Sequence, residues 1–455
     1  LHCAVAAKVW KPWRGGELVQ VSAQKTFHPK QWERGKETAM PNVIGRRSLL
    51  VTTAAGLAAP AIMRRAQAAD TVVQLISHRY PALEYYAEKM KTALPGVTVD
   101  GRLMPSGDAI QLQRIQLSSG ASTMDIMWCN SITIPSFAKS GWLEPLDDLW
   151  EKHRKDLNLD DISPAAIKGC SYNGHIYAIP LTINTLTFAY RADVFEEKKL
   201  EVPKTWDEYV DLAKTLNSPP RRYGVSASLK WDQPPAELQS VLNTVGDGWF
   251  DKDWKPTFNS DRGVKAIETY KRLAQYAVPG FTAMGNDECT VNLGQDIAVM
   301  AEQWATRCSS MDNPDKSRVV GKFKWAVPPG GHQATITDAY AISKFSTKDK
   351  DMLFRLLATT LNEDNQRGAA ALAVPPRRSV LNDPAIQAKY RWYPAISQCL
   401  DVALPLPQLP EFSEVGEVIC KRMVQAIVGQ MEVKPALDEA AKETVAMLQQ
   451  RGYYK

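Results

Sequence analysis

The chain lacks the short motifs that mark the common hydrolytic chemistries. It contains no His-Glu-x-x-His helix, no Gly-x-Ser-x-Gly elbow and no Gly-rich phosphate loop with its lysine. It has no Cys-x-x-Cys pair, and only His78, His153, His175 and His332 of its 6 histidines lie beyond residue 69. The stretch DGWFDKDWKP (247–256) has aspartates but not the central glycine and closing glutamate of a calcium loop. These absences leave no metal and no cofactor to expect. No apolar tract reaches the roughly 20 residues of a membrane-spanning helix. Beyond residue 69 there is no internal repeat, no low-complexity tract and no long linker. Those 386 residues suffice for two ordinary domains, and the missing linker implies lobes interleaved by several crossings of the chain.

Basic charge is also missing where nucleic-acid binding would need it. Residues 1–69 hold 11 Lys/Arg against 3 Asp/Glu, so the overall net of +5 belongs to the leader. The body carries 44 basic and 47 acidic side chains, which supplies no cationic stripe.

What is present in strength is an address. In GRRSLLVTTAAGLAAPAIMRRAQAA (45–69), Arg46-Arg47 precede a short apolar run, which Pro60 breaks and Ala66-Gln67-Ala68 follows. That order reads as an export signal, and the adjacent arginines fit the twin-arginine route. A buried alanine-rich helix is the plainer alternative. Residues 40–68 are therefore read as a twin-arginine-like signal peptide starting at Met40, and 1–39 as a non-native or disordered extension. No Cys follows the cleavage site to take a lipid anchor, which points to a soluble protein of a Gram-negative periplasm. The body has Cys129, Cys170, Cys289, Cys308, Cys399 and Cys420. An even count permits disulfides, while six small buried hydrophobes are the equal alternative; spacing does not choose between them.

The body alternates strands and helices. TVVQLIS (71–77), VTVDGRL (97–103) and MDIMWCN (124–130) read as buried strands. Between them run helices over 81–93 and over Ser106–Leu117, the second with Ile110 and Ile115 on its buried side. Thr205 and Glu208 form a capping box ahead of Trp206, and Ser260 caps the helix carrying Val264, Ile267 and Leu273. Leu437, Ala441, Val445 and Leu448 give the last helix its face. This order argues for an α/β fold with a mostly parallel sheet.

A resemblance now emerges from motifs in sequence: GWLEPLDDL (141–149), YNGHIYAIPLTINTLTFAYRADVFE (172–196), PKTWDEYVDLAKTL (203–216), PTFNSDRGVKAIETYKRL (256–273), LGQDIAVMAEQW (293–304), AVPPGG (326–331), DAYAISKFSTKDKDMLFRLLATT (338–360) and VPPRRSVLNDP (374–384). In order and spacing these resemble the family 1 extracellular solute-binding proteins, the sugar-binding receptors of ATP-driven importers. The resemblance implies a two-lobe, type II periplasmic-binding-protein fold of the Venus flytrap kind, with three interlobe crossings near Pro180–Asn184, Gly331–Asp338 and Ala373–Arg377. It divides the body into an N-terminal lobe of 70–183 plus 335–374 and a C-terminal lobe of 184–334 plus 375–455. The ligand is then expected in the interlobe cleft, with hinge closure as the signal to the permease.

A sugar or polyol needs planar hydrogen-bonding side chains and an aromatic face. His78 and Arg79 follow the first strand and are read as ligand contacts, with ordinary loop residues as the alternative. Ser106-Gly107 opens a helix and either caps it or meets the ligand. Trp128 and Asn130 end the third strand, and Asn130 is preferred to Asp125 because strand ends face such clefts. By the resemblance, Asn184 stands where maltose-binding relatives are acidic, and Trp304 matches a position that stacks on sugar. Trp231 and Trp249 are either cleft wall or core. Asp338 and Tyr340 at the second crossing and Arg377 at the third complete the set, Arg377 being alternatively one of a solvated pair.

The sequence thus favours a non-enzymatic, monomeric binding protein that delivers a mono- or oligosaccharide or polyol to membrane permease subunits of an ABC importer. Two alternatives remain. Glycerol phosphate or a glycerophosphodiester would be clamped by Arg79 and Arg377. A periplasmic carbohydrate-active hydrolase would need a carboxylate pair that no motif singles out.

Overall fold

The computed structural model describes residues 71–230 and 236–454. The signal-peptide and extension readings, and Trp231, lie outside the described residues.

Strands β1 (Thr71–His78), β2 (Val97–Met104), β3 (Ile126–Asn130), β4 (Ala178–Arg191), β5 (Tyr223–Val225), β6 (Ala298–Trp304), β7 (Phe323–Ala326), β8 (Ala334–Ile342) and β9 (Leu404–Pro405) form a nine-stranded sheet. Its path runs β2-β1-β3-β8-β4-β6-β5, with β9 on β8 and β7 on β4. β1 pairs in parallel with β2 and β3, and β5 with β6. At the centre, β8 is antiparallel to β3 and β4, and β4 is antiparallel to β6 and β7. The sheet is therefore mixed rather than mostly parallel. The cause lies in the connectivity: β4 leaves the first lobe and β8 returns to it, so neighbouring crossings run in opposite directions.

β4 is 14 residues long because it serves two lobes. Ala178–Thr185 pair with β8, and Leu186–Arg191 pair with β6 and β7. Side chains alternate as the pleat requires. In the first lobe, Leu75, Trp128 and Ile342 enter one apolar cluster, while Ile76, Met127, Cys129 and Ala341 enter the cluster on the opposite face. A separate cluster holds the second lobe together, built from Phe188, Trp206, Tyr209, Ile267, Phe412 and Ile419.

Between β4 and β8 the pairing slips by one residue. Ala339 faces Pro180, but Asp338 faces Thr182, so Leu181 is passed over. Such bulges re-aim the side chains that follow them. Here the slip brings Asn184 opposite Ile336, on the face that carries Asp338.

The local signals mark their elements well. Thr205 Oγ1 accepts from Glu208 N at 3.3 Å within a complete capping box, and Ser260 Oγ accepts from Gly263 N at 3.0 Å. In the helix Ser106–Ser118, however, Ala109, Gln113 and Leu117 are buried while Ile115 is 60% exposed. Gln113 takes the inner face because its Nε2 donates to the carbonyls of Ile76 and Trp128, fastening the helix to β1 and β3. The third crossing is also displaced. Val374 lies beside β4, accepting from Ile183 N, but Arg377 still bonds first-lobe carbonyls. The chain meets the second lobe's β7 from Arg391 onward: Arg391 donates to Phe323 O, Trp392 packs edge-on against Trp325, and Cys399 Sγ of the helix Tyr393–Val402 contacts Ala326 O. All six described cysteines are buried and unpaired, which settles the alternative left open by spacing. No described helix is long and apolar enough to cross a membrane.

Candidate functional site

The carboxyl ends of parallel strands are where an α/β sheet presents ligand-binding side chains. β1 ends at His78, β3 at Asn130 and β6 at Trp304, while the helix Ser106–Ser118 begins just after β2. Together with the middle of β4 and β8 they enclose two cavities of about 120 Å³ and about 280 Å³, which share Asn130, Asn286, Trp304 and Ile336.

The smaller cavity is lined by His78, Tyr80, Ser106, Trp128, Asn184, Thr306, Arg307 and Asp338 besides the shared four. Asp338 is its anchor. Tyr80 Oη donates to Asp338 Oδ2 at 2.9 Å, and Trp128 Nε1 donates to Oδ1 at 3.1 Å. Burial lifts the carboxyl to about 6, against the pull of those two donors. A carboxylate has roughly four lone-pair sites, so two remain for hydroxyl donors from a ligand. His78 sits 5.2 Å from the rings of both Tyr80 and Trp128, and its Nδ1 is 3.4 Å from Met104 O. Burial lowers its pKa to about 4, so the ring is neutral at physiological pH. Asn130 Oδ1 accepts from the amides of Ile132 and Thr133 at 3.0 Å each, which turns its NH₂ into the group it can offer. Asn184 bonds Thr306 through both amide atoms.

The larger cavity extends past Gly107, Ile110, Arg114, Lys230, Glu237 and Glu417. Glu237 is buried, and burial raises its carboxyl to about 7. Behind it lies Glu302, whose two carboxylate oxygens find no hydrogen-bond partner among the described residues. Burial and the nearby Glu237 charge push Glu302 well above the carboxyl range.

His78, Ser106, Gly107, Trp128, Asn130, Asn184, Trp304 and Asp338 thus come together around one cleft. Other sequence expectations do not. Arg79 points away, its side chain 60% exposed, donating to Leu103 O at 2.7 Å; as the neighbour of His78 it falls on the opposite side of the chain. Trp249 is core: its Nε1 donates to Gln239 Oε1 at 2.5 Å and its ring meets Phe412 edge-on. Tyr340 is wholly buried two residues along β8 from Asp338, in the apolar cluster beneath the cleft floor. Arg377, 2% exposed, donates to the carbonyls of Leu361, Asn158 and Leu157 and so fastens first-lobe loops. Asp125, passed over in favour of Asn130, accepts from Gln74 N and Ser346 Oγ and is structural.

Sequence reasoning missed Asn286, Thr306, Arg307, Ile336 and Glu237, and it stopped at His78 and Arg79 without choosing the neighbouring Tyr80. Arg307 had one readable signal, its place three residues after Trp304. In the 3₁₀ turn Ala305–Asp312 that spacing returns a side chain to the same side.

Comparison with known proteins extends the picture. A family model described as bacterial extracellular solute-binding protein matches residues 77–366. A mannitol-binding protein of Pseudomonas aeruginosa is 25% identical over 369 residues, covering 74% of this chain and 84% of that protein. The structure of an ABC transporter solute-binding protein from Agrobacterium radiobacter K84 in complex with ribitol has a TM-score of 0.76 at 24% identity, over 83% of this chain and 99% of that one. Maltose-bound MalE3 of T. maritima has a TM-score of 0.76 at 21% identity, over 83% and 100%. The two structures establish the periplasmic-binding-protein fold.

Proposed function

We propose, from the premise that this chain belongs to the family of bacterial extracellular solute-binding proteins, that it is the binding subunit of an ABC importer and takes a polyol or sugar in its interlobe cleft. The observation that carries the reading is the make-up of the smaller cavity. A carboxylate, three carboxamides and a neutral imidazole surround it, and the Trp304 indole supplies an apolar wall. Planar donors and acceptors beside an aromatic face suit vicinal hydroxyls on a carbon chain or ring. The sequence relative named for mannitol and the ribitol and maltose complexes lie within this ligand class.

The phosphorylated alternative is not favoured, because neither Arg79 nor Arg377, the clamp expected for it, reaches the cleft. The lobes close by bending at β4 and β8, and the ligand raises the closed population by its greater affinity for that form. Permease subunits then recognise the closed form. The protein acts as a soluble monomer, exported to a Gram-negative periplasm through the twin-arginine-like leader at residues 40–68. Its lobes divide near residues 183 and 335, close to where β4 exchanges β8 for β6 and β7 as its partners.

Thermal unfolding of residues 69–455 against mannitol, ribitol, sorbitol, maltose and glycerol 3-phosphate tests the ligand class. A ligand at 100 times its dissociation constant adds about 2.7 kcal/mol. A saturable shift with a neutral polyol or sugar, recovered unaltered, is the expected result. A shift with glycerol 3-phosphate alone, or recovery of a cleaved product, overturns the reading.

A further inference from the structure

Arg307 stands apart from the other cleft residues in three ways. It follows β6 and belongs to the second lobe, where its Nη2 meets Asp287 Oδ1 at 3.0 Å. Its guanidinium carbon nevertheless lies 5.5 Å from the centre of the Tyr80 ring, a first-lobe residue already bonded to Asp338. Its Nε is buried and, among the described residues, has no hydrogen-bond partner. A buried donor without an acceptor is unfavourable, and a guanidinium has five donors with no way to neutralise itself.

The setting decides what could satisfy that donor. Arg307 lines the same cavity as Asp338 and His78. Asp287 already balances its charge, and Asp338 faces the same space with lone pairs to spare. An anionic ligand group would be drawn to the guanidinium but repelled by Asp338. A hydroxyl suits both, accepting from Arg307 and donating toward the carboxylate. Adjacent hydroxyls suit them better, since each can be read by one partner. Because Arg307 comes from one lobe and Tyr80 and Asp338 from the other, these contacts exist together only when the lobes are near each other.

We infer that Arg307 is a specificity-determining residue of the cleft: its guanidinium donates to a ligand hydroxyl beside Asp338, selecting an uncharged polyhydroxyl group and tying recognition to lobe closure. This rests on the proposed polyol or sugar ligand and adds the residue that reads it from the second lobe. The guanidinium over the Tyr80 ring predicts that lysine cannot replace it, since an ammonium is a point donor without the flat fork.

Isothermal titration of the wild type, Arg307→Lys and Arg307→Ala tests this with two probe sets. One contains mannitol, ribitol and maltose; the other contains mannitol 1-phosphate and glycerol 3-phosphate. Unfolding midpoints of the unliganded proteins verify that each variant is folded, and the lysine variant serves if the alanine variant is not. The expected result is that a neutral probe binds the wild type and weakens about 10- to 100-fold in both variants, the range of one charge-assisted hydrogen bond. Small-angle scattering should then show less compaction of the variants at the same probe concentration. Neutral binding that persists within twofold in both variants overturns the role of Arg307 and leaves the ligand class standing. Binding of phosphorylated probes alone, lost in the variants, overturns the uncharged selectivity and the ligand class while leaving Arg307 as a ligand contact. A wild type that binds neither set overturns both.

Discussion

The two walls of the cleft are built on different terms. On the first-lobe wall the main polar groups are already tied: Tyr80 and Trp128 hold Asp338, and Asn130 is committed to the turn that follows it. On the second-lobe wall Arg307 retains a buried donor without a partner, Glu237 is a buried acid, and Glu302 behind it has no partner among the described residues. The first wall is preorganised and needs the ligand only to complete it. The second holds unsatisfied groups, so it is the wall with most to gain from closing on a ligand. Recognition by the first lobe and capture by the second is the division of labour this asymmetry implies.

Substitutions can break or sharpen the contrast, and the largest effect should come from the frame of the first lobe. Arg377→Ala should cost about 4 kcal/mol in urea unfolding, because buried carbonyls lose their donor. Titration of the folded fraction should find the ligand affinity unchanged. A tenfold loss of affinity would return Arg377 to the site.

Asp338→Ala should come next, at about 3 kcal/mol, since it strands Tyr80 Oη and Trp128 Nε1. It should also abolish binding, and a variant that binds normally would mean the first wall does not read the ligand. Trp304→Ala should weaken binding about 10-fold and also cost about 3 kcal/mol in unfolding, because the indole is only 8% exposed and packs in the second lobe's apolar cluster.

The buried acids of both walls predict a pH effect. Asp338, near 6, and Glu237, near 7, are raised by burial, and Glu302 is raised further in the same direction. Such acids contribute fully below their ordinary carboxyl range, and the contribution is lost as pH rises through the raised values, because the unfolded chain ionises first. Glu302→Gln removes one of them. Its stability relative to the parent should change little at pH 4 and rise steadily toward pH 8 in thermal unfolding. A difference that does not change with pH would mean Glu302 is not held protonated. The smallest effect belongs to Arg79→Ala, which should change affinity by less than twofold because its side chain faces solvent.

The sequence was readable wherever the physics is local. Thr205 with Glu208 and Ser260 mark helix starts because a cap is satisfied within four residues. His78 and Asn130 were readable because each closes a strand, and strand ends face the cleft in this architecture; Trp304 was readable through the family resemblance. Ile115 misled because hydrophobicity alone does not show that Gln113 has carbonyls to bond from the inner face. Arg377 and Trp249 misled because their partners are distant: Arg377 reaches back to Asn158, and Trp249 meets Phe412. Glu237 and Arg307 needed the assembled cavity, since nothing beside them in the chain shows which surface they will line.

The passed-over residue at Leu181 makes the chemistry of the cleft floor a matter of counting. Asn184 lies opposite Ile336 because β4 carries one residue more than β8 ahead of that pair. With Leu181 deleted, Pro180 and Thr182 would follow one another against Ala339 and Asp338, so the bulge would vanish while Asn184 kept its partner. One residue inserted between Thr182 and Ile183 would instead invert the phase beyond it and set Ile183 opposite Ile336, exchanging a carboxamide for a hydrocarbon. A change of length at the bulge is therefore silent for the cleft floor, whereas the same change two residues further on rewrites it.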